Sequence, residues 1–257
     1  MIWLWIKKSF FDGWDSLISL VVWNIGYLVV IGGFYGVLVL LQYSSLGALL
    51  LFCIVLFAHV LYISAASVAA KEIADYRIYS LKDVLRKLKS LVPHVGLLYL
   101  VIVVQSLMLF VMFFYLSYQA IGPTLIAVVF GWMLVGVHLA LPYYMALAVR
   151  MSQDKPLKSL KKAFILVVDN LGFSLFLALY QLVSLALTVV TATIVPGVFG
   201  LQLMRQTAVR LLLLKYDYLE EHPQTKRSEI PWEEVLFEEK ERIGRRSFKS
   251  LLFPWKD

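Results

Sequence analysis

The chain has 257 residues, of which 61% are hydrophobic and only 16% are charged, with a formal net charge of +7. A soluble domain is about half apolar and about a quarter charged, so this composition, with a mean hydropathy of +0.79, excludes an ordinary soluble fold. The apolar residues occur in runs of 20 or so, the length that crosses about 30 Å of hydrocarbon. The sequence therefore predicts an integral membrane protein.

The chain begins with an amphipathic segment at about residues 2–20. Trp3, Phe10 and Trp14 fall on one helical face, and Lys8 and Asp12 fall on the opposite face. A helix of this kind is expected to lie in the membrane interface, with its tryptophans among the headgroups. Charges interrupt its apolar run and no small-residue cleavage site follows, so the segment is not typical of a secretory signal.

Six apolar stretches follow and predict six transmembrane helices. They cover about residues 22–42, 46–70, 95–118, 123–149, 171–194 and 197–215. Three of the connections are short and uncharged, whereas the other connections and both chain ends carry most of the Lys and Arg residues. The positive-inside rule then places both termini and both long loops in the cytoplasm. We expect a transmembrane domain at 1–216 and a charged cytoplasmic tail at 217–257.

The sequence also has the pattern of an internal repeat. A polar residue, a spacer and a glycine begin each pair of stretches, at residues 24–26, 94–96 and 170–172. An apolar stripe with helical spacing precedes each of them. Every copy begins and ends inside, so the copies are related by an axis along the membrane normal. We predict an all-α fold, a six-helix bundle of three parallel helical hairpins with amphipathic interfacial helices.

The sixth stretch carries one polar face, formed by Gln202, Arg205, Gln206 and Arg210 at helical spacing. An arginine inside a membrane costs at least ~2.5–3.5 kcal/mol on insertion scales, so Arg205 is expected to face the bundle interior or a water-filled cavity. One interpretation is that the face joins helices through internal hydrogen bonds. The other is that it binds a phosphate or carboxylate, which the planar guanidinium fits with two hydrogen bonds.

The predicted spans contain no acidic residue, so the partners of this polar face within the membrane must be neutral. The candidates are His59, His138, Gln105, Gln181, Tyr143 and Tyr144. Two histidines without a third intramembrane ligand do not make a metal site, and Cys53, the single cysteine, forms neither a disulfide nor a thiol cluster. We therefore expect no metal and no cofactor.

Motifs of common enzymes are absent from the sequence. It contains no phosphate-binding loop of the G-x-x-x-x-G-K-[ST] type, no H-E-x-x-H and no G-x-S-x-G. The spans also lack a carboxylate pair for acid–base chemistry. The net positive charge is the cytoplasmic excess of a membrane protein, which argues against a nucleic-acid partner. The sequence predicts a protein that is not an enzyme.

The tail ends in a basic stripe. Its members are Arg242, Arg245, Arg246 and Lys249, which are spaced i, i+3, i+4 and i+7. As an amphipathic helix the stripe would lie on an anionic leaflet, where each basic residue contributes about 1 kcal/mol. The alternative is that the tail folds back on the cytoplasmic loops.

Several segments resemble the YesL-like family of bacterial membrane proteins, over about residues 9–218. They are Trp14, Trp23 and Asn24 at the start of span one, AAKEIADYR at 69–77 and PLKSLKKAF at 156–164. The resemblance implies no catalytic residues. Members of the family are described as predicted permease-associated components linked to carbohydrate ABC transport. The tail and the arginines of span six lie outside the resemblance.

Two functional hypotheses follow. The first is a non-enzymatic accessory or scaffold component of the bacterial inner membrane, whose partners are the lipid bilayer and an ABC-transporter permease or another membrane protein. The second is a small carrier or lipid-binding protein that holds an anionic group at Arg205 and Arg210.

Overall fold

The computed structural model describes residues 1–118, 120–227, 229–244 and 246, and within these ranges it contains helices but no strand. The helices are α1 (Ile2–Asp15), α2 (Leu17–Leu41), α3 (Ser45–Ala74), α4 (Leu81–Ser90), α5 (Val92–Leu116), α6 (Ile121–Arg150), α7 (Pro156–Asp169), α8 (Leu171–Val190), α9 (Gly197–Glu221), α10 (Trp232–Val235) and α11 (Phe237–Ile243). The predicted all-α class is confirmed.

Five of these helices, α2, α3, α5, α6 and α8, are long and apolar enough to cross a membrane. This confirms the coarse prediction of a membrane protein. The 25 residues of α9 are not among them, because its polar face lowers its hydropathy. In chain order, a shorter helix precedes two long ones three times, as α1–α2–α3, α4–α5–α6 and α7–α8–α9.

The buried core lies toward one end of the long helices. It consists mainly of residues 60–74 in α3, 140–149 in α6 and 199–212 in α9. Alanines on α3, including Ala66, Ala69 and Ala70, are completely buried and let neighbouring backbones approach closely. The opposite halves of α2, α3, α5 and α6 expose most of their apolar side chains. The two hairpins that they form therefore extend beyond the core.

The first helix is packed more deeply than its pattern predicts. Trp3, Phe10 and Trp14 are exposed, in agreement with an apolar interfacial face. Lys8 and Asp12, predicted on the exposed polar face, are instead buried. They are buried because each finds a charged partner inside the protein, as described below.

Trp5 anchors α1 between α8 and α9. Its ring is completely buried, and its indole N–H donates to the carbonyl of Met204 over 2.9 Å. Its edges also meet the rings of Phe173, Phe176 and Tyr180 on α8. A buried indole stabilises such a junction in two ways, because its ring buries a large apolar area and its N–H forms a directional hydrogen bond. The third hairpin is therefore braced by the N-terminal helix.

Asn24 on α2 determines where the turn between α8 and α9 lies. Its Nδ2 donates to the carbonyls of Ile194 and Pro196, each over 2.9 Å. Its Oδ1 accepts from the backbone N–H of Phe199 over 2.9 Å. Gly197 has φ +61°, and a Cβ there would approach the Asn24 side chain to 2.2 Å, so only glycine fits this contact.

These contacts hold the α8–α9 turn at a different level from the α2–α3 and α5–α6 turns. Along the direction of the helices, it lies well before the ends of the other two hairpins. Asn24 lies 17 residues before Leu41, the last residue of α2, which corresponds to about 25 Å of helix. The sequence predicts three outer turns on the same side. In the structure, the α8–α9 turn instead lies beside the first third of α2, because Asn24 fixes it there.

The three polar residues of the predicted repeat do not make equivalent contacts. Asn24 bonds to the α8–α9 turn, whereas the carbonyl of His94 accepts from the Tyr144 hydroxyl over 3.1 Å. Asn170 accepts from Lys215 over 2.6 Å and donates to Tyr216 over 2.9 Å. The repeat therefore stays a prediction from the sequence.

Candidate anion-binding cavity

A cavity of about 230 Å³ lies among α3, α5, α6 and α9. Its polar lining consists of His59, Gln105, His138, Gln202 and Arg205, and apolar side chains complete the wall. All five polar residues were singled out from the sequence. The structure brings these residues from four helices together around one space.

Arg205 is the charged group of this cavity. Its Nε and Nη2 donate to Oε1 of Gln181 on α8, over 3.0 and 2.8 Å. Gln181 is neutral, and Arg205 forms no ion pair with another residue in the described part of the chain. Arg205 is half-buried, and a charge within a membrane that has no counter-charge is costly. An anion in the cavity would remove that cost.

Hydrogen-bonding capacity is also unused around Arg205. Gln202 is only 3% exposed and lines the cavity, but its amide has no hydrogen-bond partner among the described residues. Gln105 and His138 likewise have none there, while Nδ1 of His59 lies 2.8 Å from the Tyr27 hydroxyl. The Gln105 side chain is half-buried and that of His138 is exposed, so at membrane depth their unpaired polar groups would meet hydrocarbon, where such groups are costly. The free amide and imidazole groups therefore favour a polar occupant.

Gln206 belongs to the helix packing instead of the cavity. Its Nε2 donates to the carbonyl and the hydroxyl of Ser67 on α3, over 3.1 and 2.9 Å. These bonds join α9 to α3 at the centre of the core. The predicted polar face of α9 thus divides into two parts, with Gln202 and Arg205 at the cavity and Gln206 in an interhelical contact.

The predicted hydroxyl partners, Tyr143 and Tyr144, do not reach Arg205. The Tyr143 hydroxyl lies 2.9 Å from that of Ser174 on α8. The Tyr144 hydroxyl donates to the His94 carbonyl, as described above. Both rings are completely buried. They join α6 to α8 and to α5, so their role is in packing.

Arg210 differs from Arg205 because it has two carboxylate partners. Its Nη1 lies 2.5 Å from Oδ1 of Asp75, and its Nη2 lies 2.5 Å from Oε1 of Glu239. Arg150 also pairs with Asp75, over 3.0 Å. The sequence-based hypothesis placed Arg210 with Arg205 at an anion site. The structure instead gives Arg210 internal partners, because Glu239 of the tail reaches it.

Glu239 connects the tail to the N-terminal helix. It is 2% exposed, and its Oε2 accepts from the Tyr76 hydroxyl over 2.8 Å. The Lys8 ammonium lies 3.6 Å from Glu239 and 2.9 Å from Asp12. We call Lys8, Asp12, Asp75, Arg150, Arg210 and Glu239 the charge cluster. Through it, the described part of the tail folds back on the helices.

The predicted basic stripe is described only in part. Arg242 lies over the Tyr76 ring, with 5.3 Å between its guanidinium carbon and the ring centre. Arg246 pairs with Asp15 on α1 over 2.5 Å. Both described members face groups of the protein itself. Arg245 and Lys249 lie outside the described residues, so binding of the stripe to a membrane surface stays a prediction.

Burial changes the ionisation of the charge cluster. Burial raises the pKa of the Asp12 carboxyl to about 6, although Lys8 opposes the change. Burial also lowers the pKa of Lys8, which Asp12 and Glu239 partly offset. Burial alone would raise the pKa of Asp75, but Arg150 and Arg210 outweigh it, so that pKa is lowered. Asp75 is therefore the firmly ionised carboxylate of the cluster.

Comparison of the chain with protein-family models, curated proteins and solved structures found no match. Within the described ranges, no three His, Cys, Asp or Glu side chains are grouped as metal ligands. The function must therefore be inferred from the cavity and the charge cluster themselves.

Removing the Arg210 side chain should destabilise the fold. Arg210→Ala removes the shared partner of two buried carboxylates, which keep Arg150 and Lys8 as partners, so we expect a loss below the ~3–5 kcal/mol of a fully uncompensated buried charge. We expect a lower melting temperature in mild detergent and faster proteolysis in the tail. Arg86→Ala is the control, because that side chain is 72% exposed and should change little. A melting temperature for Arg210→Ala equal to that of the wild type would contradict this role.

The stability contribution of Asp12 should depend on pH. Its pKa in the folded protein, about 6, exceeds the ordinary value of 3.8, so ionisation favours the unfolded state. The stability of the wild type relative to Asp12→Asn should fall as the pH rises from about 4 to about 6, and then stay constant. Melting temperatures of the two proteins across this range test it, with Asp15→Asn as the control for loss of charge. A difference independent of pH would disprove the shift.

Proposed function

We propose that this protein is a membrane protein that binds an anionic group in the cavity at Arg205 and performs no reaction on it. The observation that carries this proposal is the guanidinium of Arg205, which lies inside the helices beside neutral amides and imidazoles and without a carboxylate. A phosphate or carboxylate would accept its charge-assisted hydrogen bonds. It would also supply the missing counter-charge.

The remaining lining supports binding of an anion rather than a reaction. Amide N–H groups of Gln105 and Gln202 and ring N–H groups of the two histidines are all potential donors. The lining contains no Ser, Cys, Asp or Glu side chain, so the two histidines have no hydroxyl, thiol or carboxylate beside them in the cavity to activate. A volume of about 230 Å³ accommodates a phosphate-sized group with some water, since one water occupies about 30 Å³ of liquid.

The proposed membrane arrangement keeps six helices but not six complete spans. In it, α2, α3, α5 and α6 cross the bilayer, and the α8–α9 hairpin enters from the cytoplasmic side and turns back inside. Backbone at that depth must have its polar groups satisfied. The Asn24 side chain forms hydrogen bonds with the carbonyls of Ile194 and Pro196 and with the backbone N–H of Phe199, as described above. The Thr188 hydroxyl accepts from the Gly197 N–H over 3.1 Å.

The orientation in this proposal follows from the charge cluster and the loops. The tail, α1 and the α3–α4 connection meet at the cluster, so they lie on one side of the membrane. That side also carries the Lys and Arg residues of α4 and α7. The positive-inside rule makes it cytoplasmic. A bacterial inner membrane, predicted from the sequence, is the location that we propose.

An accessory role beside a transporter is the second candidate function. The observation that favours it is the exposed basic surface of α4, where Lys82 and Lys89 have no acidic partner among the described residues. An acidic surface of a membrane partner, such as an ABC-transporter permease, would complement these charges. The experiment on Arg205 also separates this role from anion binding.

Replacing Arg205 should weaken anion binding while the fold persists. Arg205→Gln removes the charge but keeps a polar side chain, and we expect affinity to fall about 10- to 100-fold, since a hydrogen bond to a charged group contributes about 1.5–3 kcal/mol. Native mass spectrometry of the purified wild type should show a bound anion that the variant lacks. The melting temperature should be unchanged or higher, because an uncompensated charge is lost.

The control for this experiment is Arg86→Gln, which alters an exposed arginine and should retain the anion. Equal anion retention by the wild type and Arg205→Gln would disprove the proposal. A protein subunit that co-purifies with both, without any bound anion, would instead favour the accessory role.

The proposed turn inside the bilayer can be tested by cysteine labelling. In a background with Cys53→Ala, Tyr43→Cys at the first outer turn should react with a membrane-impermeant maleimide on intact cells. Val190→Cys, at the end of α8 and 81% exposed in the wild type, should not react from either side. Arg86→Cys should react only after the cells are opened. Labelling of Val190→Cys from outside would show that the third hairpin crosses completely.

A further inference from the structure

An apolar cleft adjoins the Arg205 cavity on the side of α8. It has a volume of about 570 Å³ and lies between α5, α6 and α8. Its lining includes Ile102, Gln105, Ser106, His138, Leu175 and Ala178, together with further apolar side chains of α5 and α6. Three of these, Ile102, Gln105 and His138, also line the Arg205 cavity. The polar cavity and the apolar cleft therefore lie side by side and are bordered by the same three side chains.

The cleft opens on the surface of the long apolar helices. Leu109, Val135 and Leu175, one from each helix, are 44%, 48% and 52% exposed. In a membrane protein, such exposed apolar side chains face lipid. A molecule could therefore reach the cleft from the side, within the bilayer.

We propose that the anion bound at Arg205 is the head group of an amphiphile, whose hydrocarbon chain lies in this cleft. This inference rests on the proposed anion binding and specifies its ligand. The head group is a phosphate or a carboxylate, the two anions that a guanidinium binds through two hydrogen bonds.

The arrangement of polar groups matches such a ligand. Arg205 and Gln202 lie on the cavity side only, and Gln105 and His138 border both spaces. Ser106, whose hydroxyl donates to the Ile102 carbonyl over 3.0 Å, and apolar side chains line the rest of the cleft. Polarity thus falls in one direction, from the charged end to the lipid-facing opening. The cleft volume alone lies within the ~300–1,000 Å³ range of small-molecule sites. A small inorganic anion would leave the cleft unused, whereas an amphiphile fills both parts.

The chain in the cleft contributes selectivity more than affinity. A hydrocarbon chain gains little on moving from lipid into an apolar cleft, because lipid tails are as apolar as leucine side chains. Whether the hydrocarbon chain fits the cleft decides which anions can place their head group beside Arg205. Blocking the cleft should therefore discriminate against long chains and spare short ones.

The test uses alkyl phosphates of two lengths, hexadecyl phosphate and butyl phosphate, with the full chain in mild detergent. Ala178→Trp fills the cleft, and Ala186→Trp, two turns further along α8 on its exposed surface, is the matched control. Ser106→Phe blocks the cleft from α5, in case Ala178→Trp does not fold. Native mass spectrometry measures how much of each phosphate is retained, and melting temperatures confirm folding. Palmitate, run in parallel, distinguishes a carboxylate from a phosphate head group.

We expect Ala178→Trp and Ser106→Phe to retain at least tenfold less hexadecyl phosphate or palmitate than the wild type. The control Ala186→Trp should retain both long-chain probes as the wild type does. All three variants should retain butyl phosphate. Arg205→Gln should lose both lengths. If the cleft variants retain hexadecyl phosphate and palmitate as the wild type does, while Arg205→Gln loses them, the cleft holds no chain and only this inference fails. If Arg205→Gln also retains every probe, the proposed anion binding itself is wrong.

Discussion

Arg210 lies between the carboxylates of Asp75 and Glu239, and the packing of five helices depends on that pairing. Asp75 ends α3, Arg150 ends α6, Glu239 lies on α11, and Lys8 brings α1 to the same point. Each charge is buried or nearly so, and removing one partner would leave another uncompensated. The hydrophobic core lies beside this charge cluster, and the outer halves of the two long hairpins need no such support.

The two arginines of α9 show how the surroundings of a charge can separate structure from function. They lie five residues apart on α9, about 140° apart around the helix axis, and both belong to the polar face predicted from the sequence. Arg210 has two carboxylates, so it has no need of a ligand. Arg205 has only the neutral Gln181 and borders a cavity where Gln105, His138 and Gln202 have no hydrogen-bond partner among the described residues. Binding of an anion is therefore inferred at Arg205 alone.

The sequence predicted the helices and the polar lining better than the contacts between distant segments. Apolar runs and intramembrane His, Gln and Arg residues can be recognised without a structure, and His59, Gln105, His138, Gln202 and Arg205 do meet. The burial of Lys8 could not be predicted, because helical periodicity shows which face is polar but not what covers it. The pairing of Arg210 with Glu239 and the bonds of Asn24 to the α8–α9 turn join distant parts of the chain, and local patterns carry no information about them.

The short third hairpin makes the molecule asymmetric between the two leaflets. In the proposed orientation, the α8–α9 hairpin, together with α1, α4 and α7, adds to the four crossing helices only at the cytoplasmic side of the bilayer, because its turn lies about 25 Å from the outer end of α2. Only the α2–α3 and α5–α6 hairpins reach the outer half, since Asn24 holds the α8–α9 turn below it. The cross-sectional area is therefore larger in the inner leaflet, and the protein has the shape of a wedge. A wedge that is wider in the inner leaflet displaces more lipid from that leaflet than from the outer one. Its insertion therefore favours a membrane that bulges toward the cytoplasm, with the inner leaflet on the convex side.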